Sequence, residues 1–457
     1  MIEAFRNVFK IPELRRKILI TLGLLMVFRL GTYVPVPGVD FHALQEFFKQ
    51  VQEAGGAAGR LFGMINLFVG GAMSRGTVFA LGVMPYISAS IIFQLLTTSI
   101  PSLERLAREG ESGRKKIRQY ERYLTVALCL VQGFFYISMV ESLGRGEGGL
   151  LTPIVPEPGI SFRLTAVIAM TAGTVFLMWV GEQISEYGIG NGISILIMAG
   201  IIDRLPFAIT QVAQRFTWVI AGGGEGKIGP LGVAGLIALF VGIVMGIIYI
   251  TQGQRRVPIQ YAKHVRGMRV YGGQRHYLPL RVNQAGVIPI IFASSLLIFV
   301  TLPVSWVAGH WVSLQPLNDL FRYGAFFYIL FYIALIMFFC FFWTTVTFPP
   351  DRMADNLKES GSFIPGIRPG RRTMNYLERL IVRITLAGAA FLAVIAIIPP
   401  LMGNFSGFDF ALTGFFGGTG LLIVVGVALD LVERIEAHLV MRHYEGLTRG
   451  GRIRGRR

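Results

Sequence analysis

The sequence predicts an all-α polytopic membrane protein of ten transmembrane helices, arranged as two inverted halves of five. Three observations predict it. Of the 457 residues, 53% are hydrophobic and only 15% charged, where soluble domains carry about 25% charged residues. Ten apolar windows of roughly span length lie along the chain. Lysine and arginine are crowded into every second connection between them.

The windows fall at about 18–36, 77–99, 123–140, 163–181, 189–205, 231–250, 286–304, 323–346, 380–400 and 413–432. Each is predicted helical, because backbone polar groups in lipid must be satisfied within their own segment. The first apolar run, residues 18–33, has no small-residue cleavage site after it and reads as an anchor, not a signal. Pro85, Pro289 and Gly388 lie inside spans, and glycine is abundant where helices pack closely or break in a bilayer.

Orientation follows from the basic loops. The amino-terminal segment carries Arg6, Lys10, Arg15, Arg16 and Lys17, and the 100–122 loop carries Arg105, Arg108, Arg114, Lys115, Lys116, Arg118 and Arg122. The 251–285 loop holds Arg255, Arg256, Lys263, Arg266, Arg269, Arg275 and Arg281 with no acidic residue. The 347–379 loop adds Arg352, Lys358, Arg368, Arg371, Arg372 and Arg379. The alternate loops are nearly free of positive charge. Both termini and all basic loops are therefore expected on the cytoplasmic side. Five spans precede the polar segment 206–229 and five follow it, so the second half enters the membrane from the opposite side, the arithmetic of an inverted repeat. The expected division is 1–209 and 210–436, with a basic tail at 437–457.

One hydrophobic segment is too short. Counting from Leu61, an apolar run of about 36 residues is broken by Gly70, Gly71 and Arg75. The piece 77–99 meets the requirement of about 20 residues at 1.5 Å rise. The piece before it, LFGMINLFVGG, cannot cross alone.

Two of the basic loops carry more than topology. In 251–285, VPIQYAKHV and HYLPLRV alternate apolar and polar residues around RGMRVYGGQR, the pattern of a β-hairpin. It reads either as a solvated basic loop or as a docking site for an acidic partner, such as ribosomal RNA or a negatively charged protein. In 347–379, Pro365, Gly366 and Gly370 fix the backbone around Arg368, which favours a contact residue.

Chemistry is sparse. The chain has no HExxH, G-x-S-x-G or Walker loop, so no catalytic residue, metal, cofactor or enzymatic activity is expected. Cys129 and Cys340 sit in apolar runs as packing residues, and GIGNG at 188–192 is a glycine-rich lead-in to the fifth span. Arg29 stands in the first span, with Glu182 and Arg383 near span ends, and Arg29 lies close enough to the outer end to snorkel towards water. No carboxylate stands at the centre of any window. This weighs against a secondary transporter of a small solute, the alternative to a pathway lined by apolar and small residues. A membrane-insertion scaffold without a pore is a further alternative.

RLGTYVPVPGV, GGAMSRGTVFALGVMPYISASII, EGESGRKKIRQYERY, GEQISEYGIGNGISILI, VNQAGVIPIIFASS, ADNLKESGSFIPGIRPGRRT and GGTGLLIVVGVALD occur in order across nearly the whole chain. Together they resemble the SecY family of bacterial protein-translocation channel subunits. The resemblance implies a clamshell of two five-helix halves around an hourglass pore. It makes the half-length segment a re-entrant plug half-helix, about 60–74, comprising Leu61, Phe62, Gly63, Met64, Ile65, Asn66, Leu67, Phe68, Val69, Gly70 and Gly71, with the glycines letting the chain turn. It implies a pore ring of Val83, Ile87, Ile197, Ile291 and Ile423. Val83 stands where the family usually has isoleucine. It also implies a lateral gate between the second and seventh spans, with Ser88, Gln94 and Phe299 as candidates.

The same resemblance implies docking of the SecA motor ATPase or the ribosome at Arg255, Arg256 and Arg368. Further implied partners are the small membrane subunits SecE and SecG, polypeptides bearing signal peptides, and the lipid bilayer. The implied location is the bacterial cytoplasmic (inner) membrane, and the implied function is a protein-conducting channel that passes unfolded secretory polypeptides and releases hydrophobic segments sideways.

Overall fold

The computed structural model describes residues 11–53, 66, 69–144, 154–218, 229–261, 264–266, 269–271, 275–310, 320, 325–405 and 418–450. It is mostly helical and divides into two compact units. One takes the described residues up to Gln214 and those from Ile423 on; the other takes those from Arg215 to Leu422.

The first unit contains α1 (Pro12–Gly31), α2 (Phe41–Glu53), α3 (Met84–Ser99), α4 (Pro101–Arg108), α5 (Glu111–Gly144), α6 (Ile160–Tyr187), α7 (Gly192–Ile202) and most of α8 (Leu205–Arg215). Three devices hold it together. Stacked rings run from Phe28 on α1 through Phe79 to Phe176 on α6, with centroids 6.3 and 6.1 Å apart. Glycine lets α6 and α7 touch, since a Cβ at Gly192 would collide with the Gly181 carbonyl. The start of α7 is fixed by Asn191, whose side chain accepts from the amides of Ile193 and Ser194 at 3.1 and 3.3 Å, satisfying donors that a helix start leaves open.

The second unit contains α9 (Pro230–Gln252), β1 (Gln254–Tyr261), β2 (His264–Arg266), β3 (Arg269–Tyr271), β4 (Arg275–Arg281), α10 (Ile288–His310), α11 (Phe326–Thr347), α12 (Pro350–Glu359), β5 (Ser362–Phe363) and α13 (Arg371–Phe405). β1 pairs antiparallel with β4, from Gln254↔Arg281 to Gln260↔Arg275, and β2 pairs with β3. On its other edge β1 takes β5, through Gln260↔Phe363 and Tyr261↔Ser362. The two long basic loops therefore meet in one sheet. Val257, Leu280, Ile364, Leu377 and Leu380 form the core beneath it. The final helix, α14 (Gly418–Gly450), packs Leu431, Ile435 and Leu439 on Leu14 and Ile189 of the first unit.

Each of the ten apolar windows coincides over most of its length with a helix. Among the described residues, five helices are long and apolar enough to cross a membrane: Ile160–Tyr187, Gly192–Arg215, Pro230–Gln252, Phe326–Glu359 and Arg371–Ile398. The pair α3 and α4, bent by 99°, would make a sixth as a single broken span. One boundary is corrected. The window 77–99 is expected to be helical throughout, but helix begins only at Met84. Residues 77–83 form tight turns, with Ala80 N bonded to Thr77 O at 2.8 Å and Gly82 N to Phe79 O at 2.9 Å. Gly76 and Gly82 take positive φ of 56° and 58°, a conformation that ends an α-helix and that hydropathy does not report.

Candidate functional site

The residues assigned to the pore ring are apolar side chains deep in the protein. Val83, Ile87, Ile197 and Ile423 are all buried in the first unit, and Ile291 is buried in the second. Val83 occupies the residue just before α3. The Ile87 amide donates to its carbonyl at 3.1 Å, which sets the two side chains one helical turn apart. Ile197 lies mid-way along α7, Ile291 in the first turn of α10 and Ile423 in the second turn of α14.

Of the plug candidates, Leu61, Phe62, Gly63, Met64, Ile65, Leu67 and Phe68 lie outside the described residues. The rest form a tight, self-bonded turn. The carbonyl of buried Asn66 accepts from the Gly71 amide at 2.9 Å, and its side-chain oxygen accepts from the Ser74 amide at 3.1 Å. The Ser74 hydroxyl donates back to the Gly71 carbonyl at 3.0 Å. Gly70 and Gly71 take φ of 65° and 83°, where a side chain would be strained. Val69 is buried, and a Cβ on Gly70 would approach Gly200 Cα on α7 to 3.0 Å.

Of the gate candidates, Ser88 and Gln94 are half-buried on α3, and the Gln94 carbonyl accepts from the hydroxyls of Thr97 and Thr98 at 2.8 and 3.1 Å. Phe299 lies in α10. Arg255 and Arg256 are exposed on β1, while Val257 and Ile259 turn inward. Arg368 is exposed between Gly366 and Gly370, both at positive φ, and its backbone carbonyl accepts from the Thr373 hydroxyl at 3.0 Å. All three arginines belong to the platform built on β1, β4 and β5.

The structure adds charged and polar residues that hydropathy windows pass over. Arg163, at the start of α6, bonds Glu141 on α5 with Nε at 3.0 and 2.8 Å from its two carboxylate oxygens. Arg122 bonds Glu182 at 3.1 and 2.6 Å. Arg29, expected only to snorkel, is ion-paired with Asp203 and donates to the Tyr33 hydroxyl at 2.7 Å. The Tyr136 hydroxyl reaches the backbone beside the glycine turn. The one available signal was a charge of each sign at a span end, as in Asp203–Arg204 closing the 189–205 window. Among the described residues no group of three or more His, Cys, Asp or Glu side chains is placed to hold a metal.

The chain is similar to known proteins. The family model for SecY matches residues 77–432. The chain is 46% identical over 461 residues to the protein translocase subunit SecY of Thermotoga maritima, covering all of both chains. A solved structure described as the SecY plug domain stabilising the closed state of the translocation channel and maintaining a membrane seal superposes with a TM-score of 0.56. It does so at 19% identity, over 95% of this chain and 96% of that one. Sec61 in the canine ribosome-channel complex from the endoplasmic reticulum superposes with a TM-score of 0.53 at 18% identity, over 95% and 96%. Buried branched residues at the ring positions, a glycine turn ahead of α3 and a basic β-platform thus stand on a chain whose sequence aligns end to end with a bacterial SecY, and the chain belongs to the SecY family.

Proposed function

We propose that this chain forms a protein-conducting channel, the central subunit of a membrane translocase, with no catalytic activity of its own. The observation that carries the reading is the full-length 46% identity to the Thermotoga maritima protein translocase subunit SecY. Ten spans in two inverted halves would surround an hourglass pore in the bacterial cytoplasmic membrane, with both termini cytoplasmic. Support for that orientation is the crowding of lysine and arginine into alternate loops.

Physical roles follow for the residues. Branched apolar side chains at Val83, Ile87, Ile197, Ile291 and Ile423 would dewet a constriction against ions yet bind no passing segment tightly. Residues 60–74 would act as the plug, a reading supported by the glycine turn at its carboxyl end and by the plug named for the solved SecY. Ser88, Gln94 and Phe299 would line a lateral gate between the second and seventh spans. There the polar Gln94 gains from a partner in the closed gate, because an unsatisfied amide in lipid is costly. Arg255, Arg256 and Arg368 would dock the ribosome or the SecA motor, since exposed guanidinium groups suit phosphates and acidic surfaces alike. SecE and SecG would complete the channel. Driving force would come from translation or the external ATPase.

The transporter alternative needs a carboxylate at mid-depth. Glu141 and Asp203 instead stand at span ends, each held by an arginine. The deciding experiment is single-channel conductance in planar bilayers, comparing the intact protein with a deletion of residues 63–69. A silent intact protein and a leaking deletion support a plugged aqueous pore. Silence in both removes the plug assignment.

A further inference from the structure

At the far end of α1 from the basic amino-terminal segment, three arginines gather around one carboxylate. Arg29 is ion-paired with Asp203. The guanidinium carbons of Arg29 and Arg75 lie 4.9 and 4.6 Å from the centre of the Tyr33 ring. Arg204 lies close enough for the charges of Arg75, Asp203 and Arg29 all to act on it. It also covers the glycine turn: a Cβ on Gly71 would fall 2.5 Å from its Nη2 and 3.0 Å from its Nε.

The cluster is under-compensated. Among the described residues these three guanidinium groups are set against the one carboxylate of Asp203, which pairs with Arg29 and acts on Arg204, a local balance of 3 − 1 = +2. Nε and Nη2 of Arg204 and Nη1 of Arg75 are shut off from solvent and have no hydrogen-bond partner among the described residues. Buried donors left unmade are costly, charged ones most of all, and the ring of Tyr33 offsets only part of the cost at Arg29 and Arg75. A second anion would satisfy these donors together. A phosphate suits them best, because guanidinium forks match its oxygens in bidentate fashion. The cluster reaches the surface at Arg29, whose side chain is 40% exposed. Leu30 and Ile202, beside Arg29 and Asp203 in the chain, are exposed apolar residues of the kind that face acyl chains.

We propose that Arg29, Arg75 and Arg204 form a binding site for a phosphate oxyanion, supplied by an anionic lipid headgroup or by free phosphate. The test uses the full chain in neutral maltoside detergent, titrated with phosphatidylglycerol and, separately, with inorganic phosphate at matched ionic strength. Bound lipid is counted by native mass spectrometry, and bound phosphate is followed by the shift in thermal unfolding. Saturable binding of either probe, weakened about tenfold or more in both Arg75→Gln and Arg204→Gln, supports the site. Saturation by phosphatidylglycerol alone assigns it to a headgroup; saturation by inorganic phosphate, with displacement of the lipid, assigns it to the free ion. Absence of saturable binding overturns the proposal, as does equal affinity in wild type and Arg75→Gln. Arg75 is only half-buried, so that variant decides the matter if Arg204→Gln does not fold.

Discussion

The Tyr136 hydroxyl, deep on α5, donates a 2.8 Å hydrogen bond to the backbone carbonyl of Met73, across 63 residues of sequence. Both residues are buried. Met73 lies within the Asn66–Ser74 turn ahead of α3, so this bond ties an irregular segment to a regular helix. Irregular backbone at membrane depth persists only where its polar groups are satisfied by protein. Tyr136→Phe keeps the ring and removes the donor. The buried carbonyl then keeps only the Gly76 amide, at 3.1 Å, and the lost hydrogen bond costs about 0.5–1.5 kcal/mol. The expected outcome is a fall of that size in the stability measured by equilibrium unfolding in mixed micelles. A neutral Tyr136→Phe would mean that the turn is held by its own bonds alone.

The Arg163–Glu141 pair supports an asymmetric prediction. Glu141 is 4% exposed, whereas the Arg163 side chain is 37% exposed. Arg163→Gln leaves a buried carboxylate without its charged partner and is the costlier change. Glu141→Gln leaves an arginine that can turn its charge to water, so it costs less. The two single variants and the double variant, compared by the same unfolding measurement, form a cycle whose coupling term reports the pair itself. Equal costs for the two single variants would contradict the burial argument.

These pairs mark where the sequence stopped being legible. Membrane helices are readable because lipid imposes a hydropathy length on each, and the helices α6, α9, α11 and α13 lie over their windows. The start of α3 was not readable, because Gly76 and Gly82 act through backbone angles that hydropathy ignores. The alternating strands of the 251–285 loop were visible in a period of two. The addition of β5 was not, since a two-residue strand has no period to detect. The residues proposed for the ring and gate are ordinary apolar or polar side chains in spans, and only the family likeness singles them out from packing. Tyr136–Met73, Glu141–Arg163 and Arg29–Asp203 join separate segments, and nothing local in one segment specifies its partner in another.

The basic platform is built to lose contact without losing fold. Arg368 projects into solvent from a turn set by Gly366 and Gly370, while the core below it rests on Ile364, Leu377 and Leu380. A charge reversal there touches no packed atom, so Arg368→Glu is expected to hold stability within about 0.5 kcal/mol. Binding to ribosomes or to the SecA motor should fall about tenfold, equivalent to ~1.4 kcal/mol. Co-sedimentation at physiological salt, beside a thermal unfolding scan, separates the two effects. Unchanged binding with unchanged folding would remove Arg368 from the proposed docking surface.

Glu121 gives the first unit a pH dependence of defined sign. It stands on α5 ahead of the apolar window 123–140. Burial raises its carboxyl from the ordinary 4.5 to about 7, with Arg118 opposing the shift and Glu182 adding to it. The charges acting on Glu121 are Arg118 and Glu182, and Glu182 is itself bonded by Arg122 at 2.6 Å. A folded-state pKa above the unfolded one means that the folded state holds the proton more tightly. Glu121 therefore contributes stability that is fully present below about 4.5 and lost as pH rises through about 7. Between pH 5 and pH 8 the unfolding temperature of the wild type should fall more than that of Glu121→Gln, which keeps a neutral side chain of the same shape at every pH. Removing the opposing charge in Arg118→Ala should move the midpoint of this loss higher. Parallel pH profiles for wild type and Glu121→Gln would show that the buried carboxyl is already ionised at pH 5.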